Sequence, residues 1–149
     1  MSDETVTAPA EARAYSKPLP TPTPTSQPFW DAAKEHRLII QRSRRTGRRV
    51  FYPRLVSPYG PDDELEWVEA SGRGIVYSFT VARRPTAPQW GEECPYVIAI
   101  VELEEGGHLT TNIVECDPDT VRIGMPVTVV FDDVTPEVTL VKFKPAFSA

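Results

Sequence analysis

The segment between Leu38 and Trp67 carries the frame of a small metal ribbon without its ligands. It reads QRSRRTGRRVFYPRLVSPYGPDDELEW between and including Gln41 and Trp67. A four-cysteine ribbon would place thiolates as C-x2-C, a hairpin, then C-P-x-C ahead of an L-E-W strand. Here the four slots hold Ser43, Thr46, Ser57 and Gly60. Serine and threonine hydroxyls are neutral at physiological pH and are poor zinc ligands, and glycine offers no side chain. His36 is the nearest alternative donor, and one imidazole cannot hold a structural ion. The segment is therefore expected to form a ribbon that binds no zinc. Val50, Phe51, Tyr52, Leu55, Val56 and Tyr59 are expected to hold it together by packing on the rest of the molecule or on a partner; a loose loop is the alternative.

The flanking patterns place this ribbon in a larger plan. Residues 1–16 lack apolar periodicity and are expected to be disordered. Residues 17–28, KPLPTPTPTSQP, alternate proline with small residues, which forbids helix and favours an extended strap, either a tether or a strip laid on a partner. Residues 29–38 read as a short helix with Phe29, Ala33 and Arg37 along one side. The run Leu38, Ile39, Ile40 suits a first ribbon strand, residues 50–52 suit the return strand, and Gly47 lies in the turn between them.

From Leu65 onward every signal is β. Ile75, Tyr77, Phe79 and Val81 alternate with smaller residues, a period of two. Residues 96–103, YVIAIVEL, form a continuous apolar run suited to a central strand. Gly106-Gly107 turns it back into HLTTNIVECD, and two further strands occupy residues 127–134 and 138–143. Short strands separated by glycine corners indicate a small closed or partly closed barrel. The expected division is a disordered segment over residues 1–16, a strap over 17–28, a helix with a metal-free hairpin over 29–62, and a barrel over 63–149.

The charge distribution narrows the functional classes. The net charge of −5 gives no overall cationic field for nucleic acid. Yet Arg37, Arg42, Arg44, Arg45, Arg48, Arg49 and Arg54 fall within residues 37–54, which contain no acid. Guanidinium groups clamp phosphate or carboxylate bidentately, so the 3′-phospho-ADP of CoA, an acidic partner surface or RNA phosphates are candidate recipients; a solvated face is the bland alternative. Ser71-Gly72-Arg73-Gly74 either bends a strand or brings backbone and Arg73 close to a ligand. Trp30, Phe51, Tyr52, Tyr59 and Trp90 fall outside the best barrel strands, and Trp90 sits in a loop with the composition of an exposed connector.

Catalysis by this chain alone is not expected. His36 and His108 are the only histidines and neither sits in a triad or metal motif. Cys94 follows two glutamates, which disfavour a thiolate, and Cys116 lies in a strand pattern. Two reduced thiols are expected rather than a disulfide. No run approaches the roughly 18 apolar residues of a membrane span. The acidic N-terminus lacks the apolar core of a secretory signal, so a cytoplasmic location is expected.

Taken together, the order of pieces resembles a known family. A PLP…FW helix precedes a ribbon with a G-R-x-x-x-x-P-R turn. L-E-W, S-G-R-G, Y-S-F-T, P-Y-V-I-A-I-V-E-L, G-M-P-V and V-K-F-K-P then follow in series. Over residues 17–146 this is similar to the OB-fold/zinc-ribbon family known as domain of unknown function 35. The resemblance implies an all-β fold with one short N-terminal helix, a rubredoxin-like ribbon (degenerate here) and a five-stranded OB barrel. It also implies a non-catalytic subunit that joins a thiolase-fold acyl-CoA enzyme in a heterotetramer or larger assembly and helps hold or channel the CoA thioester. Steroid and other lipid degradation fall within that range, and the acyl group is left open. The residues expected to meet CoA or the partner are Arg42, Arg44, Arg45, Arg48, Arg49, Arg54 and Arg73. Phe29, Trp30, Tyr52, Tyr59 and Trp90 are expected to dock the partner. No catalytic residue, metal or permanently bound cofactor is expected; acyl-CoA would be a shared ligand. A single-stranded nucleic-acid binder and a purely architectural bridge between enzymes are the alternative readings.

Overall fold

A computed structural model describes residues 15–146. The expected disorder of residues 1–14 lies outside them. Helix α1 (Gln27–Lys34) leads into β1 (Ile39–Ser43) and β2 (Arg49–Val50), followed by β3 (Leu65–Glu69) and β4 (Arg73–Ala82). Then come β5 (Tyr96–Leu103), β6 (His108–Ile113), β7 (Pro126–Asp133) and β8 (Thr139–Pro145). The first three strands make a sheet in the order β2-β1-β3, and the last five close a barrel in the order β4-β5-β6-β8-β7. All barrel pairings are antiparallel except β6 with β8, which is parallel through Ile113 and Phe143. This is the five-stranded Greek-key barrel of the OB fold. No helix among the described residues is long and apolar enough to cross a membrane.

Helix α1 is shorter than the sequence pattern suggests. Pro28 lies in its first turn, where a missing N–H costs nothing. It stops at Lys34 because His36 takes a left-handed φ of 57°, letting the His36 and Arg37 N–H groups close back on the Ala33 and Ala32 carbonyls. Phe29, Ala32 and Ala33 are buried, the i, i+3, i+4 spacing of one helical face. That face joins Leu38 and Ile40 of the ribbon to Val76, Val101, Leu109, Val127 and Phe143 of the barrel in a single core. Ribbon and barrel are thereby packed as one unit.

The paired glycines before β4 are packing devices. A Cβ on Gly72, whose φ is +82°, would lie 2.4 Å from Val129 Cγ1, and one on Gly74 would lie 2.5 Å from the Glu102 carbonyl. Neither position tolerates a side chain without displacing the adjoining strand. The strap is tied to the chain's own barrel at its start. Lys17 Nζ reaches Glu93 at 2.5 Å and lies 4.7 Å from the Trp90 ring centroid. Cys94 and Cys116 are both half-buried free thiols.

Candidate functional site: a carboxylate-centred ribbon and an arginine cleft

The four would-be ligand positions are gathered without thiolates, around Asp63. Ser43 Oγ and Ser57 Oγ both donate to Asp63 Oδ2, at 2.6 and 2.5 Å. The Arg45 N–H donates to Asp63 Oδ1 at 3.0 Å. Each serine oxygen in turn accepts a backbone N–H, from Thr46 at 3.0 Å and from Tyr59 at 3.1 Å. Gly60 leaves room for the Arg45 guanidinium, which donates to the Tyr59 carbonyl. Ser43, Ser57 and Asp63 are all buried. Neutral hydroxyls and one carboxylate whose two oxygens are already occupied do not suit zinc. Among the described residues no cluster of three or more His, Cys, Asp or Glu side chains could hold a metal ion.

The serine hydroxyls beside it, helped by the Arg45 N–H and its charge, hold the Asp63 carboxyl down at about 2 from its usual 3.8. A depressed carboxylate pKa favours the folded state at every pH above the unfolded value, and that advantage fades as pH falls through the folded value. The melting-temperature gap between the wild type and Asp63→Asn is therefore expected to be constant from pH 7 to about pH 4, to narrow below that, and to close near pH 2. A gap that stayed constant down to pH 2 would contradict this assignment.

The apolar residues assigned to holding the ribbon do only part of that task. Val50 is buried and Phe51 packs on the core beside Phe29, but Tyr52, Leu55 and Val56 are 50%, 86% and 64% exposed. The loop that carries them is clasped by Gln41. The buried Gln41 amide accepts the Arg54 N–H at 2.7 Å and donates to the Arg54 carbonyl at 2.8 Å, as a neighbouring strand would. Within the chain, polar closure by Gln41 thus supplements the packing of Val50 and Phe51.

Six of the seven arginines separate into two groups, and the seventh, Arg45, is held by the Tyr59 carbonyl. Pairing of β1 with β3 sets Arg42 opposite Glu66. Arg42 donates to Glu66 from Nε at 2.8 Å and from Nη2 at 2.5 Å, while Arg44 reaches Glu64 at 2.9 Å and Glu66 at 3.5 Å. Arg37 pairs with Glu35 and Glu69, both at 3.4 Å. Arg73 is bound to Glu104 at 2.8 Å and faces a separate depression with Lys144, away from the ribbon. These arginines are neutralised within the chain.

Arg48, Arg49 and Arg54 form the second group and converge on a cleft of about 860 Å³ between the ribbon and the β5–β6 turn. Arg48 lies over the Tyr59 ring at 5.5 Å, and Arg49 donates to the Gly47 carbonyl at 2.8 Å. None of the three makes a salt bridge among the described residues. Glu105 also lines this cleft, with Oε1 bound to the Ser71 N–H at 2.7 Å. Next to the cleft runs an apolar groove of about 420 Å³ between α1, the ribbon loop and strands β6 and β8. Phe51 and His108 line both.

Of the aromatic residues singled out, Phe29 is buried against Phe51, whereas Trp30 and Tyr52 line the groove. Tyr59 lines the cleft, and Trp90, which lines neither, stacks on Tyr96 with ring centroids 5.5 Å apart. Trp30 Nε1 is buried without a hydrogen-bond partner. The histidines are engaged: His36 with Asp133 at 2.9 Å, and His108 with Glu102 at 3.0 Å while stacked on Tyr77. Burial pushes the Cys116 thiol up, away from nucleophile chemistry. Sequence reasoning misses Asp63, Glu64 and Glu66, and it weighs His108 only for triad or metal chemistry. For Asp63 the readable signal was an acid just after a knuckle whose slots hold hydroxyls.

Comparison with known proteins agrees with this architecture. Residues 30–56 match the rubredoxin-like zinc ribbon domain of ChsH2, and residues 67–132 match its C-terminal OB-fold domain. A DUF35 domain-containing scaffold protein of Methanothermobacter thermautotrophicus is 39% identical over 115 residues, 72% of this chain and 86% of that protein. A probable enoyl-CoA hydratase alpha subunit of Thermomonospora curvata is 44% identical over 119 residues, 79% of this chain. The chain spans only 37% of that larger relative. Among solved structures, a chain of the Ltp2-ChsH2(DUF35) aldolase superposes with a TM-score of 0.77 at 40% identity, covering 87% of this chain and all of that one. A ribbon and an OB barrel matched in order, with a scaffold relative covered over most of its length, make this chain a member of the ChsH2-type DUF35 family.

Proposed function

We propose that the chain is a non-catalytic accessory subunit of a CoA-thioester enzyme and that its ribbon–barrel cleft takes the phosphate end of CoA. One observation carries the reading: three arginines that make no salt bridge among the described residues line a cleft that shares Phe51 and His108 with an apolar groove. A ligand suited to both has a polyanionic end and an uncharged arm. The 3′-phospho-ADP and pantetheine portions of CoA have that form, and guanidinium forks suit phosphate oxygens. The likeness to a hydratase alpha subunit and to the Ltp2-ChsH2 aldolase chain supports a CoA-processing assembly. A thiolase-fold partner would supply the reacting groups and meet the exposed Tyr52, Leu55 and Val56, since this chain's histidines are already paired and its Cys116 thiol is disfavoured as a nucleophile.

The nucleic-acid reading is less well supported. A backbone-tracking groove needs continuous positive charge. Here Glu64, Glu66 and Glu104 neutralise Arg42, Arg44 and Arg73.

Calorimetric titration of the purified chain with CoA, 3′-dephospho-CoA and pantetheine tests the assignment. CoA is expected to bind, with dephospho-CoA weaker by about tenfold or more, because one phosphate's charge-assisted bonds are worth roughly 1.5–3 kcal/mol. Pantetheine alone is expected to give no measurable binding. Equal affinity for all three, or no binding of CoA, would overturn it.

A further inference from the structure

The members of this family are matched through a zinc ribbon domain, yet the residues of this ribbon do not suit zinc. Something must still gather two knuckles that approach each other from opposite ends of a hairpin. We propose that the Asp63 carboxylate is the structural centre of this ribbon, an anion collecting hydroxyl and N–H donors where a zinc ribbon has a cation collecting thiolates.

The argument is one of donor count and sign. Zinc joins two knuckles because each supplies anionic sulfur to a shared positive charge. Here each knuckle instead supplies a donor, Ser43 Oγ from one and Ser57 Oγ from the other, and both converge on Asp63 Oδ2. Charge-assisted O–H···O⁻ bonds of 2.5–2.7 Å are the short, strong class, and both bonds fall in it. Asp63 Oδ1 takes the Arg45 N–H, so both carboxylate oxygens are engaged. The serine oxygens then accept the Thr46 and Tyr59 N–H groups, which fixes both turns. A buried carboxylate without such partners would be costly; with them it cross-links residues 43–46 to residues 57–59. The arrangement is closed on itself. Replacing any one member leaves a buried hydroxyl, amide or carboxylate oxygen unmatched.

Hydrogen exchange on the full chain tests this, followed at the Arg45, Thr46 and Tyr59 amides and, as an internal reference, at the β5 amides. In the wild type, EDTA is expected to change neither set, and metal analysis to find no stoichiometric zinc. Asp63→Asn is expected to speed exchange at the three ribbon amides by about tenfold or more while the β5 amides keep their protection. Should Asp63→Asn unfold the whole chain, Ser43→Ala and Ser57→Ala, which each remove one donor to Asp63 and one acceptor of a turn amide, are expected to speed exchange at the Arg45 amide and, respectively, at the Thr46 and Tyr59 amides. Stoichiometric zinc, faster ribbon exchange in EDTA, or unchanged ribbon protection in Asp63→Asn or in both serine variants would overturn the proposal.

Discussion

The double charge reversal Arg48→Glu with Arg54→Glu is expected to weaken CoA binding by at least about 100-fold, because two guanidinium–phosphate contacts are worth roughly 3 kcal/mol or more together. Folding should survive it. Both side chains are exposed, and Arg54 contributes to the ribbon through its backbone, which Gln41 clasps irrespective of the side chain. The melting temperature is expected to move by no more than about 3 °C. The matched control is Arg42→Ala with Arg44→Ala, whose side chains are already committed to Glu66 and Glu64 and whose loss should leave affinity nearly unchanged. If the control weakened CoA binding as much as the reversal, the arginines would act through general charge, and the cleft would lose its assignment.

Phe143→Ala is expected to be the most destabilising single substitution, costing about 3–5 kcal/mol. Its ring is fully buried, and it sits where the barrel is least secured by hydrogen bonds. The β6–β8 seam is closed by one parallel pairing, Ile113 with Phe143, by the bond from the Val114 N–H to the Phe143 carbonyl, and by the Thr111 hydroxyl donating to the Val141 carbonyl at 2.9 Å. The backbone contacts survive truncation, but the side chain filling the seam does not. Thermal unfolding should shift down by about 10–20 °C. A shift below about 5 °C would mean that neighbouring side chains collapse into the space.

How much of this was legible beforehand depended on whether the signal was local. The continuous apolar run 96–103 is β5 residue for residue, and the ribbon-then-barrel order holds throughout. Helix α1 ended early because its stop is set by His36 in a left-handed conformation, which sequence patterns rarely mark for a non-glycine residue. In the sequence the arginine window forms one cluster, because the acids that split it, Glu64 and Glu66, reach it only once β3 pairs with β1. That pairing belongs to tertiary structure. Leu65–Glu69 looked like an approach to the barrel and is instead the third ribbon strand. The polar part of the ribbon's closure is hidden from the sequence for a related reason. Counting thiolates showed what could not be there, but a carboxylate 20 residues from one serine and 6 from the other is visible only when the knuckles meet.

The Gln41 clasp has a consequence for association. A tip bearing exposed Leu55 and Val56 would ordinarily sample many shapes, and freezing it on contact would subtract from the affinity. Because one amide side chain already restrains the main chain at Arg54, much of that ordering is complete before any encounter. In the proposed assembly, Gln41 would therefore govern how tightly a surface it never touches is gripped.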